Sequence, residues 1–514
     1  MVNGTKREAG AKATKQPDLK SQDKLTIRIP TDSSISWLGA VSLAEPLEMP
    51  FNTLPDDVLF KIVECYMSDR GAYASAKTRL RHTLLLGQIE ARLRAFVCLE
   101  RACHHLWSTI YLQWPNDAVD LYLQRSQGRP LTVFLNTLEA RGTRKHRSDQ
   151  QHWTKFLLDN MSTIAHLDLF IHNNQCSQRL ALAIDTAAPV LQSCRLNVAH
   201  KVEIIAALFA GSAPQLASAC IYATHTPNLR CFPTLRVLKI SIEPSGHQRL
   251  LSTLSALPAL EDLSVIGAPE RFSFEIATEA EVRVSLPACR LLTVKNMESF
   301  LVHSLLASLM LPAITKLAVH EKLIVDQHGL RSPSMTDTFP FAPLKPITPT
   351  FLRITLHPDR ILFVTDGSPE YVYAIDWRPL YGLYVVDEEG IFLALLVAVV
   401  RTLAAKLCVE PRELTIQNHL PGDGAAAGES PLQMVDLTEL WRLAFQDLAT
   451  VEVLRLSGNI TATLDLLDCS TLHLPHLSRV EILEGTLVSD AQAAVLAELG
   501  KKRMTDFSFS VPEN

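Results

Sequence analysis

The chain has 514 residues, 47% of them hydrophobic and 20% charged, and that balance excludes a wholly disordered chain. Lys plus Arg number 49 and Asp plus Glu 54, a net charge of −5, so no global positive field draws the chain onto nucleic acid. Only 20 residues are glycine, which weighs against an architecture built on glycine-rich phosphate loops.

Residues 1–48 are polar and read as a disordered leader. Its basic residues (Lys6, Arg7, Lys12, Lys15, Lys20, Lys24 and Arg28) are dispersed, as on a solvated tail rather than in a compact targeting cluster. No apolar signal-peptide core is present, so the expected location is cytoplasmic or nuclear. The ten cysteines form no CxxC pair and none has metal-ligand spacing to a His pair. They read as reduced thiols packed as small hydrophobes.

Order is expected from about residue 49. Phe51-Asn52-Thr53-Leu54-Pro55-Asp56-Asp57 is a helix start: Thr53 and Asp56 have capping-box spacing, and proline is tolerated in a first turn. Asp56 and Asp57 suit the positive end of the helix dipole. Val58, Leu59, Ile62, Val63 and Tyr66 then fall on one apolar stripe. Further helical patterns cover about Ala74–Glu90 and Leu93–His104. Leu106–Leu112 alternates, which predicts a change to strand.

Beyond residue 115 an apolar triplet recurs, with members at relative positions one, four and six. It reads Ile164-Leu167-Leu169, Leu191-Cys194-Leu196, Leu235-Leu238-Ile240, Leu260-Leu263-Val265, Cys289-Leu292-Val294, Ile314-Leu317-Val319, Val451-Leu454-Leu456 and Leu477-Val480-Ile482. Phe351-Ile354-Leu356 and Pro411-Leu414-Ile416 are weaker copies. Leu235, Leu260, Cys289 and Ile314 follow one another at 25, 29 and 25 residues. Proline stands two residues before four of those leading positions: Pro233, Pro258, Pro287 and Pro312. A period in the twenties with this pattern marks leucine-rich repeats. Each unit supplies one short parallel strand and a return segment, and stacking of neighbours buries the apolar face. Val202–Phe209, Leu250–Leu257 and Ser299–Leu309 are expected return helices. The gaps from Leu191 to Leu235 and from Ile314 to Phe351 exceed one period, so an irregular solenoid with insertions is expected.

Residues 331–350 are rich in Pro, Ser and Thr and read as a linker or long surface loop. Ile361–Val364 and Tyr371–Ile375 flank Asp366-Gly367-Ser368-Pro369, the signature of an inserted hairpin. Gly390–Leu407 reads as a long apolar helix. Its purely apolar run, Ile391–Val400, ends at Arg401, short of the ~20 residues that a membrane span needs. Residues 421–431 read as a loop and 499–514 as a tail.

No catalytic set stands out. His104 and His105 are adjacent, so on a helix they point about 100° apart, and no third ligand is near. Gly422–Gly428 lacks both a preceding strand and a following Lys-Ser/Thr pair. Neither a GxSxG elbow nor an HExxH motif is present. Arg141, Arg144, Lys145, His146 and Arg147 form the densest basic cluster, without interleaved aromatics, and read as a solvated loop. No catalytic residue, cofactor or metal is therefore assigned.

The Leu54-Pro55-Asp56-Asp57-Val58-Leu59-Phe60-Lys61-Ile62-Val63 stretch resembles the opening of the F-box motif. Phe96-Val97-Cys98 followed by Leu106-Trp107-Ser108-Thr109-Ile110 resembles its second half, in the style of mushroom-type fungal F-box proteins. The later leucine-patterned units look like the target-binding part of the same proteins. Two departures are visible: Ser68–Arg92 is inserted between the halves, and the tryptophan that usually follows the Val-Cys pair is missing. The expected fold class is α/β, a small helical F-box module followed by an irregular leucine-rich-repeat-like solenoid with a parallel sheet. The expected divisions are 1–48 leader, 49–115 F-box-like module with an inserted helix, 116–330 solenoid, 331–350 linker, 351–498 solenoid with the hairpin, and 499–514 tail.

The resemblance implies a non-catalytic substrate receptor of a Skp–cullin–F-box ubiquitin ligase. Leu54, Pro55, Val58, Leu59, Ile62, Val97 and Cys98 would dock on a Skp-type adaptor and through it on a cullin, while the repeats hold an unknown target protein. No membrane or nucleic-acid partner is expected. The inserted segment and the missing tryptophan motivate an alternative, a repeat scaffold that binds a protein partner without recruiting a ligase.

Overall fold

The structure is a computed structural model of the chain. It describes most of residues 104–376 and 410–510, together with 54, 55, 57–59, 61, 77, 78, 80, 81, 397 and 400. The leader, residues 82–103, the 331–349 segment, residues 377–396, the 421–431 loop and other stretches lie outside the described residues. The chain divides into two compact units, 1–59 and 60–514. In the first, Asp57–Leu59 are helical and the Leu59 N–H donates to the Pro55 carbonyl at 3.0 Å, the helix start expected there.

The second unit is mixed α/β around one large, mostly parallel sheet. Its strands in chain order are β1 (Thr109–Tyr111), β2 (Leu131–Asn136), β3 (Ile164–Ile171), β4 (Ser193–Val198), β5 (Ser218–Tyr222), β6 (Val237–Ile242) and β7 (Asp262–Gly267). There follow β8 (Val284–Ser285), β9 (Leu291–Glu298), β10 (Leu309–Met310), β11 (Lys316–Lys322), β12 (Val325–Asp326), β13 (Gly329–Leu330) and β14 (Phe351–His357). The last are β15 (Arg360–Thr365), β16 (Glu370–Asp376), β17 (Glu413–Asn418), β18 (Val453–Gly458), β19 (Arg479–Ile482) and β20 (Ser508–Ser510). Sixteen of them form one sheet in the order β1-β2-β3-β4-β5-β6-β7-β9-β11-β16-β15-β14-β17-β18-β19-β20. The expected change from helix to strand is present at β1, which follows the helix His104–Trp107, so the sheet begins inside the 49–115 segment.

The triplet explains the sheet. Its fourth and sixth positions lie two apart on a strand and therefore point to one face. Leu238, Leu263, Leu292 and Leu317 pair successively across β6, β7, β9 and β11, as do Ile240, Val265, Val294 and Val319. None of these eight is more than 1% exposed. A one-residue slip would turn every one of them to the other face, so burial fixes the register.

The recurring proline has a geometric reason. In Ala188-Pro189-Val190-Leu191, Phe232-Pro233-Thr234-Leu235, Leu257-Pro258-Ala259-Leu260 and Leu474-Pro475-His476-Leu477 the fourth N–H donates to the first carbonyl at 3.0–3.2 Å. Proline's fixed φ suits the second position of such a turn. The residue after each turn reaches its neighbour: the N–H groups of Gln192, Arg236, Glu261 and Ser478 donate to the carbonyls of Ala165, Ala217, Arg236 and Glu452, each at 2.8 Å. The turns thus form a ladder of their own beside the strands.

Helices between strands bury apolar stripes. His247–Leu254 buries Leu250, Leu251 and Leu254, and Leu437–Asp447 buries Leu440, Trp441, Ala444 and Phe445. Ser299–Ser308 packs against β9 and β11. The first two of the three expected return segments fared differently: the Leu250–Leu257 helix lies three residues earlier, and Val202–Ala207 falls outside the described residues, leaving a tight turn at Leu208–Gly211.

Three sequence expectations shift. Leu216-Ala219-Ile221 is a further triplet that fills the gap after Leu191 and builds β5. The Phe351 unit is out by two residues: Leu352 and Ile354, not Ile354 and Leu356, pair with Leu414 and Ile416. The basic cluster is not wholly a loop, because the helix His146–Asn160 starts within it.

The hairpin is present. β15 is antiparallel to both β14 and β16, while β16 lies parallel to β11 and β14 parallel to β17. Beside this junction Glu321 and Tyr373 are both 1% exposed. Burial, then the Glu321 carboxylate, raises the Tyr373 hydroxyl well above its ordinary range. Of Gly390–Leu407 only Val397 and Val400 are described, and both are helical.

Candidate functional site

One face of the sheet is buried; along β2 to β6 the residues between the triplet members form the other, open face. Strand alternation places Phe134, Asp168, Arg195, Cys220 and Lys239 in one row, each paired with the next. Thr132, His166, Ser193, Ser218 and Val237 form the row before it. A parallel sheet usually has both faces covered. Here His166, Arg195 and Lys239 are exposed and their row neighbours only half-buried.

These rows line a shallow depression of about 460 Å³, whose polar and aromatic walls include Phe134, His166, Asp168, Arg195, Tyr222 and Lys239. The Arg195 guanidinium stands 3.8 Å from the Asp168 carboxylate. His166 Nδ1 and Ser193 Oγ share a hydrogen bond of 2.7 Å. Burial raises the Asp168 carboxyl above its usual range, and the nearby Arg195 opposes the shift. The Tyr222 hydroxyl is also raised, by burial first and then by Cys220.

A Ser–His hydrogen bond is half of a nucleophilic set. The carboxylate on this face, however, is paired with Arg195. Cys194, on the buried side, is pushed up to about 12 by burial, so its thiol stays protonated at neutral pH. The depression can donate hydrogen bonds from hydroxyls and guanidinium and can hold negative charge. Among the described residues no group of three or more His, Cys, Asp or Glu could hold a metal ion, and no helix is long and apolar enough to cross a membrane.

Several open-face charges of the later strands are matched within the sheet. Arg455 on β18 is bracketed by Glu413 of β17 at 2.5 Å and Glu481 of β19 at 2.7 Å. Arg479 reaches Glu481 at 2.8 Å, and Lys316 pairs with Glu370 at 3.0 Å.

Of the residues expected to dock on an adaptor, Pro55 is exposed, Val58 is 38% exposed and Leu54 is half-buried. Leu59 is only 1% exposed, so its side chain is not offered at the surface. Ile62, Val97 and Cys98 lie outside the described residues. The sequence did not single out Arg195 or Lys239. A lone cation between two apolar strand positions carries no motif, and its neighbours appear only once the strands are in register. No family model matches the chain, and no curated protein matches it.

Proposed function

We propose that this chain is the substrate-receptor subunit of a Skp–cullin–F-box ubiquitin ligase. The F-box-like segment docks on a Skp-type adaptor through Leu54, Pro55, Val58, Ile62, Val97 and Cys98, with the buried Leu59 supporting the helix from behind. The irregular leucine-rich-repeat-like solenoid holds a target protein. No residue of this chain performs the transfer. The receptor contributes proximity, raising the effective concentration of target lysines at the conjugating enzyme. Apolar anchors carry most of the adaptor affinity.

The observation that carries the reading is a repeated, in-register apolar ladder with one open face, following a Leu-Pro-acid-aliphatic helix start. Pro55 and Val58 stand exposed at that start, as docking requires. The test is capture of a purified Skp-type adaptor by the full chain. The double variant Leu54→Asp, Pro55→Ala is expected to lose capture; undiminished capture refutes the docking face.

The burial of Leu59 favours a second reading, a repeat scaffold that binds its partner without a ligase. That reading predicts no adaptor capture by the unaltered chain.

A further inference from the structure

The two halves of the sheet treat their open-face cations differently. In the later half Arg455 and Arg479 are held by carboxylates of their own sheet. In the earlier half Arg195 has Asp168 only at 3.8 Å. Lys239 on β6 and Lys295 on β9 are exposed, and among the described residues no carboxylate lies within ion-pair distance of either.

Arg195, Lys239 and Lys295 stand on every second strand of the run β4-β5-β6-β7-β9. Neighbouring strands are about 4.8 Å apart, so Arg195 and Lys239 are spaced by roughly 10 Å, and Lys239 and Lys295, one row apart, by roughly 12 Å. Lys295 lies one side-chain row further along, since Lys239 pairs with Ser264 and Ser264 with Thr293, two residues before it. A peptide in the extended polyproline-II conformation advances about 3.1 Å per residue with three residues per turn, so every third side chain recurs on the same face at about 9.3 Å. Ser193, Ser218 and Tyr222 supply hydroxyls along the same path.

We propose that the open face of β4–β9 holds an extended acidic segment of a partner protein, laid across the strands, with carboxylates about three residues apart facing Arg195, Lys239 and Lys295. The argument is charge complementarity: Lys239 and Lys295 have no ion-pair partner among the described residues and Arg195 has only the 3.8 Å contact to Asp168, at a spacing that a polyproline-II chain approximates. It rests on the receptor reading only in taking the sheet as the part that grips a target.

The probe is a fluorescein-labelled nonapeptide with Glu at positions one, four and seven separated by Ser-Gly pairs, with a Gln-substituted version as control. Binding to the full-length protein is followed by fluorescence anisotropy at 50 mM NaCl. The Glu peptide is expected to bind at least ~10-fold more tightly than the Gln peptide, and to weaken as salt rises. Lys239→Glu is expected to weaken it about tenfold, and Lys295→Gln about threefold. Equal affinity for the Glu and Gln peptides, or unchanged affinity in a Lys239→Glu, Lys295→Gln double variant, overturns the proposal. Tighter binding of a single-stranded oligonucleotide of equal charge overturns it too. A thermal melt of each variant confirms folding, and the milder Lys295→Gln remains decisive if Lys239→Glu does not fold. Adaptor capture is measured on the same proteins. Lost peptide binding with adaptor capture intact is expected of the variants, whereas an unaltered chain that captures adaptor but not peptide refutes only this inference. A chain that binds peptide but captures no adaptor refutes only the ligase reading.

Discussion

The run β3 to β11 and the run β14 to β19 share one sheet and one register rule but end differently. In the first, every described neighbour is parallel and the chain advances one strand at a time. In the second, the chain passes from β11 to β14, folds back through β15 to β16 beside β11, and then runs on to β17, which pairs with β14. The antiparallel hairpin extends the sheet without a helical crossover. The buried side is alike in both: Leu352, Leu414, Leu454 and Val480 form the same apolar row, all 0% exposed. The open side is not alike. The lesson is that hydrophobic register dictates the fold, while the intervening positions are free to differ in what they leave unpaired.

Breaking the shared side should give the largest effect. Leu263→Ala empties a fully buried site between Leu238 and Leu292 and is expected to cost about 3 kcal/mol in urea unfolding. A loss below about 1 kcal/mol would mean that the row does not carry the core. The next effect sharpens the contrast in charges. Arg455→Ala removes a guanidinium held by two carboxylates in a part-exposed setting, and should destabilise by about 1 kcal/mol. Lys239→Ala, with no such partners, should change stability by less than about 0.5 kcal/mol. Equal effects in the same unfolding series would erase the distinction drawn between the halves. The smallest effect concerns Asp168. Asp168→Asn removes the carboxylate that competes for Arg195 and is expected to tighten the Glu nonapeptide by about two- to threefold.

Much of the sheet was legible because a bulky aliphatic triplet announces itself. Leu235-Leu238-Ile240 and Leu260-Leu263-Val265 were placed correctly to the residue. Leu216-Ala219-Ile221 was missed because Ala219 packs where the pattern leads one to look for a larger side chain. The Phe351 unit slipped by two because strand alternation has a period of two: Ile354 and Leu356 lie on the same face as Leu352, and only pairing to β17 chooses among them. The hairpin was legible from its Asp-Gly turn. The open-face cations were not, since Arg195 and Lys239 are 44 residues apart in sequence and meet only through the pairing of three strands.

The ends of the sheet carry a consequence of their own. Among the described residues the sixteen strands joined side by side have two outer edges, β1 and β20, each of three residues. A long bare edge is a template for further strands and hence for aggregation. Here the longest strands, β3 and β9 with eight residues each, are flanked on both sides. Among the described residues, tapering to three-residue edges presents only a short row of amides for a stray chain to pair with, which keeps an architecture with this much β-structure self-limiting.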